Sequence, residues 1–163
     1  MPTSGVLADL LDEALATGDD GPLRAILVTD PGPAVLFARA VGAVIVLPDL
    51  PVAALEALLD GWAAIPARDA PADGPWIVLP CAAVAAYGEA AVVRPDWFDD
   101  EIAKLRRAAA DPRRPVRDAV VDSLRRMLEA DWGHMAAVLV DWADDADPLV
   151  ARVATAALAG RAR

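Results

Sequence analysis

The sequence predicts an all-α fold of paired helices stacked in series. Three observations carry that prediction. Apolar residues recur every three or four positions, prolines gather between the recurrent segments, and two sequence features return after 34 and 35 residues.

Proline sets the boundaries. Pro31 and Pro33, Pro48 and Pro51, Pro66, Pro71 and Pro75, Pro95, Pro112 and Pro115, and Pro148 all fall between segments of helical periodicity, where a missing N–H costs little. Only Pro80 falls inside a predicted helix, where it marks a kink or a helix start.

The elements follow in order. Residues 4–17 form an amphipathic helix that caps the open end of the stack. First helices are expected near 20–28, 51–64, 96–109 and 131–143, and second helices near 33–46, 75–88, 114–128 and 148–161. The clearest stripe is Val116, Ala119, Val120, Ser123, Leu124 and Met127, with Arg117, Asp118, Asp122, Arg125 and Arg126 on the other faces. Val150, Val153, Ala154, Ala157 and Leu158 repeat it. Asp96-Trp97 and Asp131-Trp132 each open a first helix, with the aspartate as N-cap, and Asp99, Asp100 and Glu101 suit the positive end of the first of these helices.

Residues 116–127 read Val-Arg-Asp-Ala-Val-Val-Asp-Ser-Leu-Arg-Arg-Met, and 150–158 read Val-Ala-Arg-Val-Ala-Thr-Ala-Ala-Leu, each behind an Asp-Pro break. Weaker copies are Leu79 to Gly88 and Phe37 to Gly42. Here the chain resembles the HEAT-repeat family, whose second helix reads Val-Arg-x-x-Ala-Ala-x-Ala-Leu-Gly-x-Leu after Asp-Pro. The resemblance covers most of the chain and is strongest after Asp96. It implies one domain over residues 1–163: an αα-superhelix, or α-solenoid, of about four HEAT-like pairs near 18–47, 50–90, 95–129 and 130–161, plus the N-terminal cap.

Composition bounds the function. The chain has 163 residues, enough for one core, and is 56% hydrophobic but only 5% aromatic, so small aliphatic side chains dominate the packing. It has no Asn or Gln and one lysine, Lys104, a bias that points to a high-GC bacterial gene. A net charge of −10 opposes general nucleic-acid binding. Arg39 interrupts Ala34 to Leu47, read as the most apolar segment, so no membrane helix is expected. A start without a basic n-region and a single cysteine, Cys81, fit the cytoplasm.

Catalytic motifs are missing. Lys104 follows an alanine, which excludes a Walker loop. There is no Gly-x-Gly-x-x-Gly, and neither Ser4 nor Ser123 occupies a nucleophile elbow. One His and one Cys cannot supply the three or four ligands of a His- and Cys-built zinc site, so His134 reads as a polar residue of a first turn and Cys81 as a small buried one. Asp141, Asp144, Asp145 and Asp147 lack the Gly and Glu of a calcium loop, having Ala146 and Arg152 in those places, and read as helix-start and turn acids. Neither cofactor nor metal is expected.

Charge is unevenly placed. Lys104 to Arg126 holds eight basic and three acidic residues, a net of +5, while residues 1–103 hold four basic and sixteen acidic, a net of −12. Since second helices of HEAT proteins line the concave face, the resemblance marks Arg117, Asp118, Val121 and Arg125 as binding candidates, with Arg113 and Arg114 at their edge. Of the five tryptophans, Trp62, Trp97, Trp132 and Trp142 fall at helix ends and read mainly as packing.

The expected function is therefore a non-catalytic scaffold whose curved helical surface holds another protein or a peptide. One alternative is a HEAT-like enzyme that attaches a chromophore or acts on DNA bases, the DNA-acting type drawing on Arg113, Arg114, Arg117, Trp132 and Asp118. Another is an acidic inhibitor or immunity-type protein that covers a basic partner. Oligomeric state is not legible.

Overall fold

The computed structural model describes residues 2–30 and 32–160, so Met1, Pro31 and residues 161–163, of which Arg161 is the end of the last predicted repeat, lie outside the described residues. Within them the chain is 77% helical, with no strand. Nine α-helices pack together: α1 (Ser4–Thr17), α2 (Gly21–Thr29), α3 (Pro33–Val44), α4 (Val52–Ala63), α5 (Val78–Val93), α6 (Phe98–Ala109), α7 (Arg114–Ala130), α8 (Trp132–Ala143) and α9 (Pro148–Ala159).

Local chemistry explains most boundaries. The Val6 N–H donates to Thr3 Oγ1 at the start of α1, and Gly18, at φ 76°, ends it in the left-handed conformation a side chain disfavours. Asp131 and Asp147 cap α8 and α9 by accepting from the N–H groups of His134 and Leu149. Asp96 does not cap. It lies in a 3-10 turn, Pro95–Trp97, pairs with Arg94 at 2.8 Å, and leaves α6 to begin at Phe98. A proline at the first position of that turn fixes the chain before a capping geometry can form. Pro80 stands in the first turn of α5, where its missing N–H needs no partner, so it marks a helix start rather than a kink.

The odd-numbered helices form a row in which α1, α3, α5, α7 and α9 each pack on the next. The even-numbered helices lie along that row: α2 on α1 and α5, α4 on α5, α6 on α5, α7 and α9, and α8 on α7 and α9. Central α5 is consequently apolar all round, with Leu79, Ala82, Ala83, Val84, Ala86 and Tyr87 all buried. With its preceding 3-10 turn it spans Pro75–Val93, 19 residues containing an 18-residue window of mean hydropathy 1.7. By length and composition the helix could cross a membrane, but 61% of that window is buried inside the fold.

Small residues let the row close up. A Cβ added at Gly88 would lie 2.7 Å from Ser123 Cβ on α7, and one added at Gly42 on α3 would lie 2.7 Å from Glu89 Oε1 on α5. The Ser123 hydroxyl donates across the same contact to Val84 O at 3.2 Å.

Candidate functional site

Helix α4 is held away from α6, and a groove opens between them with α5 as its floor. Asp60 of α4 accepts a hydrogen bond from the Tyr87 hydroxyl of α5 at 2.6 Å and lies 3.4 Å from Lys104 Nζ of α6. The ammonium also sits 5.1 Å from the Tyr87 ring centroid, a cation–π distance. The only lysine and the only tyrosine of the chain thus meet on one aspartate.

Space lies on both sides of this bridge. A cavity of about 380 Å³ is lined by Ala63, Ala64, Val84, Arg107, Ala108 and Val116 together with the bridging residues. A more open hollow of about 430 Å³ continues past Glu56, Asp100 and Ala103. Across the groove Glu56, Asp60 and Ala63 of α4 face Asp100, Lys104 and Arg107 of α6. The two helices therefore run in the same direction.

Glu101 lies one turn behind. Its side chain is buried, Oε1 is 3.6 Å from Lys104 Nζ, and Oε2 has no hydrogen-bond partner among the described residues. Burial pushes its carboxyl up to about 7 against the pull of Lys104, with Asp60 and Glu56 adding to the rise. Burial, and then Asp60 accepting its proton, raise the Tyr87 phenol far above its ordinary range, so it serves as a hydrogen-bond donor rather than a base. The site thus holds fixed charges, one hydroxyl donor and one buried carboxyl pushed up to about 7.

The residues marked from the sequence divide between support and surface. Arg113 is buried, gives Nε and Nη2 to Asp111 at 2.9 and 2.7 Å, and gives Nη1 to Ala70 O at 3.1 Å. It ties the 64–74 linker to the turn before α7. Arg117 donates to the carbonyls of Asp111 and Pro112, both at 2.8 Å. Arg114 and Asp118 are exposed and 3.6 Å apart, one helical turn from each other. Val121 is half-buried, and Arg125 is exposed and donates to Ala156 O at 3.0 Å. Arg114 and Trp132 stand at opposite ends of α7, roughly 25 Å of helix. The structure does not bring the set proposed for DNA bases to one place.

His134 stacks on Phe98, with ring centroids 4.3 Å apart. Burial pushes the Cys81 thiol up to about 11, Arg113 opposing and Asp111 and Asp118 adding, so near neutral pH it is a thiol. Asp145 pairs with Arg106 and accepts from the Asp147 N–H, which accounts for two acids of the 141–147 run.

Comparison with protein-family models, curated proteins and solved structures gave no match.

The groove was not legible beforehand. Asp60, Tyr87 and Lys104 are far apart in sequence, and their meeting depends on the register of α4 against α6. The available signal was that the sole Lys and the sole Tyr stand in otherwise apolar or arginine-rich surroundings.

Proposed function

We propose that this chain is a non-catalytic protein-binding module, an α-solenoid of HEAT-like helix pairs, whose groove between α4 and α6 holds a segment of a partner protein. The observation that carries the reading is the open groove itself, walled by α4 and α6, floored by buried α5, and braced by the Asp60–Tyr87–Lys104 bridge. Two further features support it. The row α1–α3–α5–α7–α9 with helices laid along it is the packing a solenoid requires. At its centre Asp60 and Lys104 are already braced against each other, which suits recognition more than proton transfer.

The test is capture. Immobilised chain is incubated with lysate of its source organism alongside two variants, Arg107→Glu in the groove and the pair Arg114→Glu and Arg125→Glu on α7. A retained protein that re-forms a stoichiometric complex after purification, and is lost with Arg107→Glu, supports the reading. Loss only with the α7 pair moves the binding face to the basic ridge. Retention of nothing by any form contradicts the binding-module reading.

A further inference from the structure

We propose that the α4–α6 groove takes an extended peptide segment carrying a basic side chain and, three residues away, a carboxylate, the basic group lying by Glu56 and Asp100 and the carboxylate by Arg107. This rests on the binding-module reading and gives the module its ligand chemistry.

The groove is dipolar along its length. At one end Glu56 and Asp100 face each other, both exposed, and neither has an ion-pair partner among the described residues. In the middle Asp60 and Lys104 neutralise each other. At the other end Arg107 is exposed and also lacks an ion-pair partner among the described residues, because Asp111 beside it is taken by Arg113 at 2.7 Å. Arg106, which lines the hollow beside Glu56 and Asp100, is taken by Asp145. The charges left over are thus two acids at one end and one guanidinium at the other.

Their spacing selects the ligand. Asp100 and Arg107 are seven residues apart on one helix, about 10 Å at the usual rise. In a polyproline-type extended peptide, residues i and i+3 return to the same side about 9 Å apart. A basic and an acidic residue in that relation reach both ends at once. A free amino acid, with its ammonium and carboxylate on one α-carbon, does not span the groove. Ala63, Ala64, Val84 and Ala108 give the intervening residues small apolar surface to lie on.

The experiment uses isotope-labelled full chain and three capped proline-rich hexapeptides that differ only in the two charged residues three apart: Lys and Glu, Lys and Lys, Glu and Glu. Amide shifts are followed in the wild type, in Arg107→Glu, and in the pair Glu56→Lys and Asp100→Lys. The result expected is saturable shifts confined to the walls and floor of the groove, residues 52–64, 84–87 and 98–109. The Lys/Glu peptide binds the wild type several-fold more tightly than either control, Arg107→Glu switches preference to Lys/Lys, and the acid-end pair switches it to Glu/Glu. Every substituted side chain is exposed; should a variant lose its dispersed spectrum, the peptide series on the wild type decides alone. Shifts elsewhere, equal binding of all three peptides, or an unchanged preference in the variants overturn the proposal. If a partner captured from lysate is retained by Arg107→Glu while the peptides fail, the binding-module reading stands and this inference falls.

Discussion

Glu89 Oε2 of α5 lies 2.6 Å from Arg126 Nη2 of α7, an ion pair whose alignment does not make a hydrogen bond, and the same carboxylate is pressed against Gly42 of α3. One buried acid therefore touches three successive helices of the central row.

Removing Arg126 leaves Glu89 buried without its counter-charge. Because the guanidinium is 46% exposed, water shares in the interaction, and Arg126→Ala is expected to cost about 1–2 kcal/mol rather than the full penalty of a buried pair. Denaturant melts of Arg126→Ala, Glu89→Ala and the double variant check this, with a double loss smaller than the sum of the single ones.

Gly42 and Gly88 mark where the row cannot widen. Gly88→Ala places a methyl 2.7 Å from Ser123 Cβ, a contact with another helix that no rotamer relieves. Overpacking of this kind is expected to cost roughly 1–3 kcal/mol, read as a lower melting temperature with helical content kept. Gly61, whose added Cβ meets nothing within 4 Å, is the control, since Gly61→Ala should stabilise slightly.

Glu101 gives stability a pH dependence of defined sign. Its carboxyl sits at about 7 in the fold against 4.5 ordinarily, so between those values the folded chain holds more protons than the unfolded one, and stability falls as pH rises through that window. Glu101→Gln should remove that fall, leaving the variant about 2–3 kcal/mol less penalised than wild type at alkaline pH. Melting wild type and variant at about pH 5 and about pH 8.5 measures it; an unchanged slope in Glu101→Gln would exclude this carboxyl as the source.

Asp20 acts in the opposite sense. Burial alone would raise it, but hydrogen bonds from Arg24 and from the Trp62 indole, both at 2.7 Å, outweigh burial and hold it below its ordinary value. Its contribution is present above the ordinary carboxylate range and is lost as pH falls through the lowered value. Asp20→Ala orphans the indole N–H of Trp62, whose side chain packs on Phe37, and should cost about 1–3 kcal/mol near neutral pH. Acid titration of stability checks it, because the deficit of the variant should shrink on acidification.

Arg113 shows what the sequence conceals. In a run of arginines it reads as a surface cation, yet Asp111 two residues before it and the Ala70 carbonyl from the distant linker draw it inside. Arg113→Ala should therefore cost about 2–4 kcal/mol, whereas exposed Arg114→Ala should stay within about 0.5 kcal/mol, as paired chemical denaturation of the two would show.

Helix positions were legible because their causes are local. Proline breaks, the caps at Asp131 and Asp147, and the three-and-four spacing of Val116, Val120, Ser123, Leu124 and Met127 act within one or two turns. What depends on register between helices was not legible. The Asp60–Lys104 bridge, the Asp20–Trp62 bond and the burial of Arg113 each join residues more than 40 positions apart, or depend on one that does. Asp96 failed as a cap for an intermediate reason, since Pro95 imposed a 3-10 turn that local charge did not reveal.

Hydrogen–deuterium exchange of the chain, with and without a partner captured from its own lysate, tests the groove most directly. The groove reading predicts added protection in Val52–Ala63 and Phe98–Ala109, walls that share Asp60 and Lys104. Protection confined to α7 and α9, with α4 and α6 exchanging as in the free chain, would contradict it.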